Sequence, residues 1–303
     1  MHGAFCPLPV EVETRLRVML LALAAGLGIS SLLVRRRRRQ VRLRRAAAAR
    51  VRCVTFDLDD TIWQCEPVIT RAAAVFMRFL AAELPRIFSL FPTIELWREH
   101  SRAVCASGRC SAPHDLSAVR RAAMREAARV AGLSEVDTER AVRIGFDAFM
   151  RARNDVGDFM VPGALRLLRR LRKAGYQVGA VSNGNADIVK IPALARLFDF
   201  AVSPASAGAK KPDLAPFRLA FELSVCESRH EMIHVGDSLK SDVWPAWQFG
   251  VHASFWVTTG SVWSGTNKVE GKEYRFPAGI FECASLTEVE GMLVGMGILE
   301  NMY

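Results

Sequence analysis

Short apolar runs that end abruptly in polar turns recur along this chain, and they alternate with longer stretches whose apolar residues recur every three or four positions. The runs Val51–Phe56, Val178–Val181 and Met232–Gly236 have the length and bounding turns of buried strands. Between the first and second runs the pattern becomes helical. Residues 68–84, 93–106, 115–131 and 134–152 carry apolar positions at helical spacing. Ser134, three residues before Asp137, and Asp115, before an apolar run, read as N-caps of the last two. About 120 residues separate Thr61 from Ser182, far more than one crossover helix needs, so an insertion sits early in the fold. Alternating helix and strand patterns resume at about Val161, and the tail from Gly260 to Tyr303 reads as a loop followed by a helix near Ser285–Leu299. The pattern predicts an α/β doubly wound parallel sheet bearing an inserted α-helical cap.

The strand ends carry the chemistry. The first run stops at Asp57-Leu58-Asp59-Asp60-Thr61. In extended chain, residues i and i+2 share a face, so Asp57 and Asp59 are able to address one ligand. Aspartate is a hard oxygen ligand for Mg2+ and is also a nucleophile that forms an aspartyl-phosphate. Alone, the pair is equally a turn capped by solvated acids. Three further groups follow in order: Ser182-Asn183-Gly184 after the second strand, Lys211 before Pro212-Asp213, and Asp237 to Asp242 after the third. In open α/β sheets the carboxyl edge is where ligands bind. That edge thus gathers a nucleophile, an acid/base, phosphate-oxygen donors, a cation and further metal ligands.

With these four groups in this order, residues 51–258 resemble the haloacid dehalogenase-like hydrolases, whose sheet is Rossmann-like. The resemblance implies Asp57 as nucleophile, Asp59 as general acid/base and Thr61 as the closing threonine of the first motif. Ser182 and Asn183 match the phosphate-binding second motif, Lys211 the third, and Asp237 and Asp242 the fourth. It also implies Mg2+, with Asp57, Asp59 (through its carbonyl), Asp237 and Asp242 as the metal set. Dehalogenases of this fold generally lack the second aspartate, so Asp59 points to phosphoryl transfer. Trp63 falls in the family's flap, where it either stacks on a planar substrate or packs beneath the cap. The stretches Phe56–Arg71, Ser182–Asp187 and Ile233–Ala246 are similar to bacterial phosphatases acting on flavin mononucleotide and on 5-amino-6-(5-phosphoribitylamino)uracil. The expected activity is hydrolysis of a small-molecule phosphomonoester. A sugar phosphomutase of the same superfamily and a catalytically silent, membrane-tethered scaffold are the alternatives.

Composition changes the picture only at the N-terminus. The chain of 303 residues carries a net charge of +10. Residues 1–52 hold 12 Arg and 2 acids, and the remaining 29 basic and 29 acidic residues balance. A nucleic-acid groove is therefore not expected in the catalytic part. The expected organisation is a leader over residues 1–50, a core over 51–66 and 158–303, and a cap over 67–157. Val18–Val34 is an uncharged run of 17 residues followed by Arg35–Arg39. As a helix it spans roughly 25 Å, and basic residues after a span stay cytoplasmic. The leader reads as a single-pass anchor with the catalytic domain on the cytoplasmic side, or as a chloroplast or mitochondrial transit peptide. Seven cysteines without metal spacing read as reduced thiols. His234 and Trp97 read as core.

Overall fold

The computed structural model describes residues 51–258 and 276–301. Six strands form one sheet: β1 (Cys53–Phe56), β2 (Gln177–Val181), β3 (Phe200–Val202), β4 (Met232–Gly236), β5 (Ala253–Val257) and β6 (Ile280–Cys283). All pairings are parallel and the spatial order is β3-β2-β1-β4-β5-β6. β1 and β4 are buried along their whole length, as central strands covered on both faces must be, which is why they read as continuous apolar runs. The order reverses at β1, so the crevice at the carboxyl ends of β1, β2 and β4 is the topological switch point. Register fixes what meets there. Phe56 lies level with Ala180 and Val235, which brings Asp57, Ser182 and Asp237 to one edge.

Five of the six α-helices between β1 and β2 make up the insertion: α1 (Cys65–Glu83), α2 (Pro85–Leu90), α3 (Ile94–Ala106), α4 (Leu116–Val130) and α5 (Glu135–Arg153). The N-caps expected from sequence are present. Asp115 accepts from the Ser117 amide at 2.8 Å and Ser134 from the Asp137 amide at 3.2 Å. These helices enclose a hydrophobic cluster that includes Phe76, Leu80, Trp97, Ala127 and Phe149. The Phe76 ring meets Trp97 edge-on at 4.9 Å and Phe149 at 6.3 Å. Phe76→Ala is accordingly expected to lower the unfolding free energy by about 3–5 kcal/mol, the usual cost of emptying a buried aromatic site, as read by chemical denaturation.

The remaining helices flank the sheet: α6 (Ala164–Lys173), the short α7 (Pro204–Ala207), α8 (Ala215–Leu223), α9 (Trp244–Phe249) and α10 (Leu286–Gly295). A second cluster, with Cys53, Val181, Phe217, Met232 and Phe249, packs beneath β1, β2 and β4. His234 is fully buried in β4. The six cysteines among the described residues are all free.

Among the described residues no helix is long and apolar enough to cross a membrane. This corrects the expectation of a single-pass, membrane-anchored chain. The physical reason is visible in the two longest helices, α1 and α5, of 19 residues each. Each buries one stripe against its neighbours and presents charges such as Arg78, Glu83, Arg140 and Arg143 on the other. The run Val18–Val34 and its transit-peptide alternative lie outside the described residues.

Candidate active site

The chain leaves β1 through Asp57 and turns sharply. Asp60 adopts a left-handed conformation at φ 62°, which aspartate tolerates because its side chain bonds locally. Here Asp60 Oδ1 accepts from the Cys65 amide at 2.8 Å. The outgoing strand of this turn pairs with the returning chain: the Gln64 amide donates to the Phe159 carbonyl at 2.9 Å and the Val161 amide to the Ile62 carbonyl at 2.9 Å. Exit and re-entry of the helical insertion are thereby stapled together beside the strand edge.

Lys211 is the centre of the constellation. The chain has two adjacent lysines, and burial separates them: Lys210 is exposed, whereas Lys211 is 2 % exposed. Its Nζ donates to Asp57 Oδ1 at 2.6 Å, to the Val181 carbonyl at 2.5 Å and to Asp242 Oδ1. Asn183 holds the lysine by its main chain. The Asn183 Oδ1 accepts from the Lys211 amide at 2.8 Å, and its Nδ2 donates to the Lys211 carbonyl at 3.0 Å. Ser182 is buried beside them, its Oγ accepting from the Gly184 amide at 3.0 Å.

One ammonium stands among three carboxylates. Asp57, Asp237 and Asp242 each bring an oxygen to within 4.8 Å of the others. Like charges at about 5 Å repel by about 3 kcal/mol at an effective dielectric of 20. Burial, against the counter-effect of Lys211 and with Asp242 and Asp237 adding to it, pushes the Asp57 carboxyl well above the usual range. Burial and then Asp242 push Asp237 up to about 7. Asp242 goes the other way, down to about 2: burial opposes its charge, but Lys211 and His234 prevail. Burial likewise opposes the Lys211 ammonium, and the two carboxylates outweigh it and raise its pKa. An all-oxygen set with surplus negative charge suits a hard divalent cation. Thr61 Oγ1 sits 3.4 Å from Asp237 Oδ1, at the border of that set.

The Asp59 carboxylate is turned away from the acid cluster. It receives the Trp63 indole N–H at 2.8 Å on Oδ1, and Arg153 Nη2 on both oxygens at 2.6 and 2.7 Å. Trp63 is fully buried, with the Arg153 guanidinium 5.6 Å from its ring centroid. Gly184 makes room for this arrangement, since a Cβ there would lie 2.3 Å from Asp59 Oδ2. Arg153, at the C-terminal end of α5, went unnoticed in the sequence because nothing marks it among the many arginines of the insertion.

A family model described as haloacid dehalogenase-like hydrolase matches residues 51–250. The 5-amino-6-(5-phospho-D-ribitylamino)uracil phosphatase YigB of Escherichia coli is 30% identical over 210 residues, covering 69% of this chain and 84% of that protein. Haloacid dehalogenase-like hydrolase domain-containing protein 3 of Xenopus laevis is 30% identical over 129 residues, 41% of this chain and 51% of that protein. A crystal structure of 2-haloacid dehalogenase from Pseudomonas syringae pv. Tomato superposes with a TM-score of 0.65 at 29% identity, over 81% of this chain and 99% of that one.

Proposed function

We propose a specific course of reaction for this chain, which belongs to the haloacid dehalogenase-like hydrolase family and is a phosphatase of that superfamily. The reaction is hydrolysis of a small-molecule phosphomonoester through an aspartyl-phosphate on Asp57. The observation that carries it is Asp57 held on Lys211, with a second aspartate, Asp59, two residues along the same chain and turned to a separate set of partners.

Asp57 attacks phosphorus and the ester oxygen leaves. Lys211 orients the attacking carboxylate and offsets charge on the transferring group. Ser182, with backbone amides of its turn, binds phosphate oxygens, and Asn183 fixes the lysine from below. Asp59 gives a proton to the leaving alkoxide, then takes one from the water that attacks the aspartyl-phosphate. A departing halide needs no such proton, which is why the retained Asp59 favours phosphoryl chemistry over the dehalogenation named for one structural relative. Asp57, Asp237 and the Asp59 carbonyl would hold the metal, with Thr61 and Asp242 supporting them, and we assign Mg2+. When bound, that ion supplies positive charge that offsets nucleophile and phosphate. The helical insertion, residues 67–157, is the cap over this edge, and Trp63 lies at its hinge.

Flavin mononucleotide or a related riboflavin-pathway phosphate is the proposed substrate. The name of the Escherichia coli relative and the matching sequence stretches support it. The full chain with Mg2+ is expected to hydrolyse flavin mononucleotide and a generic aryl phosphate, to stop in excess EDTA, and to resume on re-addition of Mg2+. Release of inorganic phosphate is the readout. Undiminished turnover after exhaustive chelation would overturn the metal assignment, and inactivity on flavin mononucleotide alongside active aryl phosphate hydrolysis would overturn the substrate.

A further inference from the structure

Several concavities among the described residues lie outside the acid cluster, one of about 310 Å3 along Glu83–Ile87 and Leu133–Ile144; two others lie along the second half of α5. The larger, about 690 Å3, runs along Asp147–Gly157 and Lys190–Ala193, and its charged residues are exposed and of both signs. The smaller, about 300 Å3, lies within the helical insertion, between α1, α3, α4 and α5. Aromatic rings from Phe76, Trp97, Phe146 and Phe149 wall it, together with three arginines, Arg98, Arg102 and Arg120, and no carboxylate.

Arg120 is the unusual member. Its Nε is sealed from solvent without a hydrogen-bond partner, and among the described residues no acid pairs with it. Its guanidinium lies 3.8 Å over the Phe149 ring. A cation–π contact offsets only part of the cost of desolvating a cation, which runs to several kcal/mol. Burial, then Arg153 and Arg98, lower its pKa to about 10, the mark of a cation left unneutralised. Arg153, one turn beyond Phe149 on α5, likewise keeps Nε and Nη1 buried without partners.

This cavity adjoins the catalytic edge. Ser117, one turn before Arg120 on α4, accepts from Asn185 Nδ2 at 3.2 Å. Asn185 follows the Ser182–Gly184 turn that packs against Asp59. Arg120 therefore stands about 5 Å of helix rise from the phosphate-side loop.

We propose that Arg120, on the wall of this cavity, and the buried Arg153, between it and Asp59, form an anion-recognition pair that reads a second negative charge, carboxylate or phosphate, on a planar leaving group seated there. The inference rests on the phosphatase reading above but not on flavin mononucleotide, whose alcohol portion is uncharged; it adds esters with an anionic, aromatic alcohol portion to the substrates this chain takes. Flat rings along the wall accept the planar body, and the unpaired guanidinium donors take the anion bidentately.

The test compares kcat/KM of the full chain, in Mg2+, for phenyl phosphate, 4-carboxyphenyl phosphate and 1,4-phenylene bisphosphate. Wild type is expected to prefer at least one charged ester, and which one identifies the anion. Arg120→Gln is expected to cut that preference ratio by about 10- to 100-fold, the worth of one charge-assisted hydrogen bond. Arg120→Lys, which keeps the charge, should retain it within about threefold. Arg153→Lys should lose part of the preference together with part of the turnover, because that side chain also holds Asp59. Comparing ratios between variants cancels the intrinsic reactivity of each ester. If wild type hydrolyses all three without preference, or Arg120→Gln leaves the ratio unchanged, the anion pair is overturned while the phosphatase reading stands. If wild type hydrolyses none of them, the phosphatase reading itself falls, and the pair with it.

Discussion

Asp57→Asn is expected to abolish turnover, with kcat falling by roughly 10⁵-fold or more, the scale seen when a nucleophile is deleted from a concerted site. The amide matches the carboxylate in shape and still accepts a hydrogen bond from Lys211, but it cannot attack phosphorus. The substitution also removes one of three buried acids that crowd within 4.8 Å of one another. Burial and those neighbours already disfavour the charge on Asp57. Metal-free Asp57→Asn is therefore expected to melt at the same temperature as wild type or above it, so lost activity cannot be charged to lost structure. Near-normal turnover in a folded Asp57→Asn protein would sink the covalent route.

Asp59→Asn separates the two half-reactions. The nucleophile and Lys211 remain, so the phosphoryl group still transfers. The group that moves protons is gone, which typically costs 100- to 10,000-fold, about 3–5 kcal/mol of barrier. Intact-protein mass measured after mixing with substrate is expected to show one added phosphoryl group on Asp59→Asn and none on Asp57→Asn. The same change removes the carboxylate on which Arg153 closes, linking the chemistry at the strand edge to the last turn of α5.

The legible part of this site is the part that strands deliver. Asp57, Ser182 and Asp237 each follow a short apolar run directly, and parallel register brings such positions to one edge whatever lies between them. Lys211 was legible by its place before Pro212, and burial then distinguished it from Lys210. What escaped has physical reasons. Arg153 reaches Asp59 across 94 residues of sequence, through the packing of an entire helical layer, and local pattern carries no trace of that. Helical apolar spacing is legible from Val68, whereas the helix begins at Cys65, because proline is tolerated in a first turn and Pro67 sits there. Pro85 likewise opens α2, a separate short helix where one long one was expected to end. β6 is only four residues long at the sheet margin, and its half-buried Phe281 beside an exposed Glu282 gives no strand-like alternation of apolar and polar residues. Asn183 was expected to face phosphate. Its side chain is spent on the main chain of Lys211, a pairing that only the folded loop discloses.

Lys211→Met is the sharpest test of how the acids are held. The ammonium is buried and donates to Asp57, to the Val181 carbonyl and to Asp242. Methionine fills similar space without a charge. Asp242 then loses the partner that most favours its ionised form, and two buried carboxylates face each other uncompensated. Breaking one side of such a buried pair costs about 3–5 kcal/mol, and the metal-free variant is expected to lose that much unfolding free energy in chemical denaturation. Turnover is expected to fall by about 10²–10³-fold or more, the usual cost of removing one aimed donor from a developing charge. Adding Asp242→Asn separates the two effects. It removes the stranded carboxylate, so the double variant should regain most of the lost stability. It restores no cation near the transferring phosphoryl group, so turnover should stay low. Recovery of activity along with stability would make Lys211 a structural counter-ion only. An unchanged denaturation midpoint in Lys211→Met would mean that the acids do not depend on it at all.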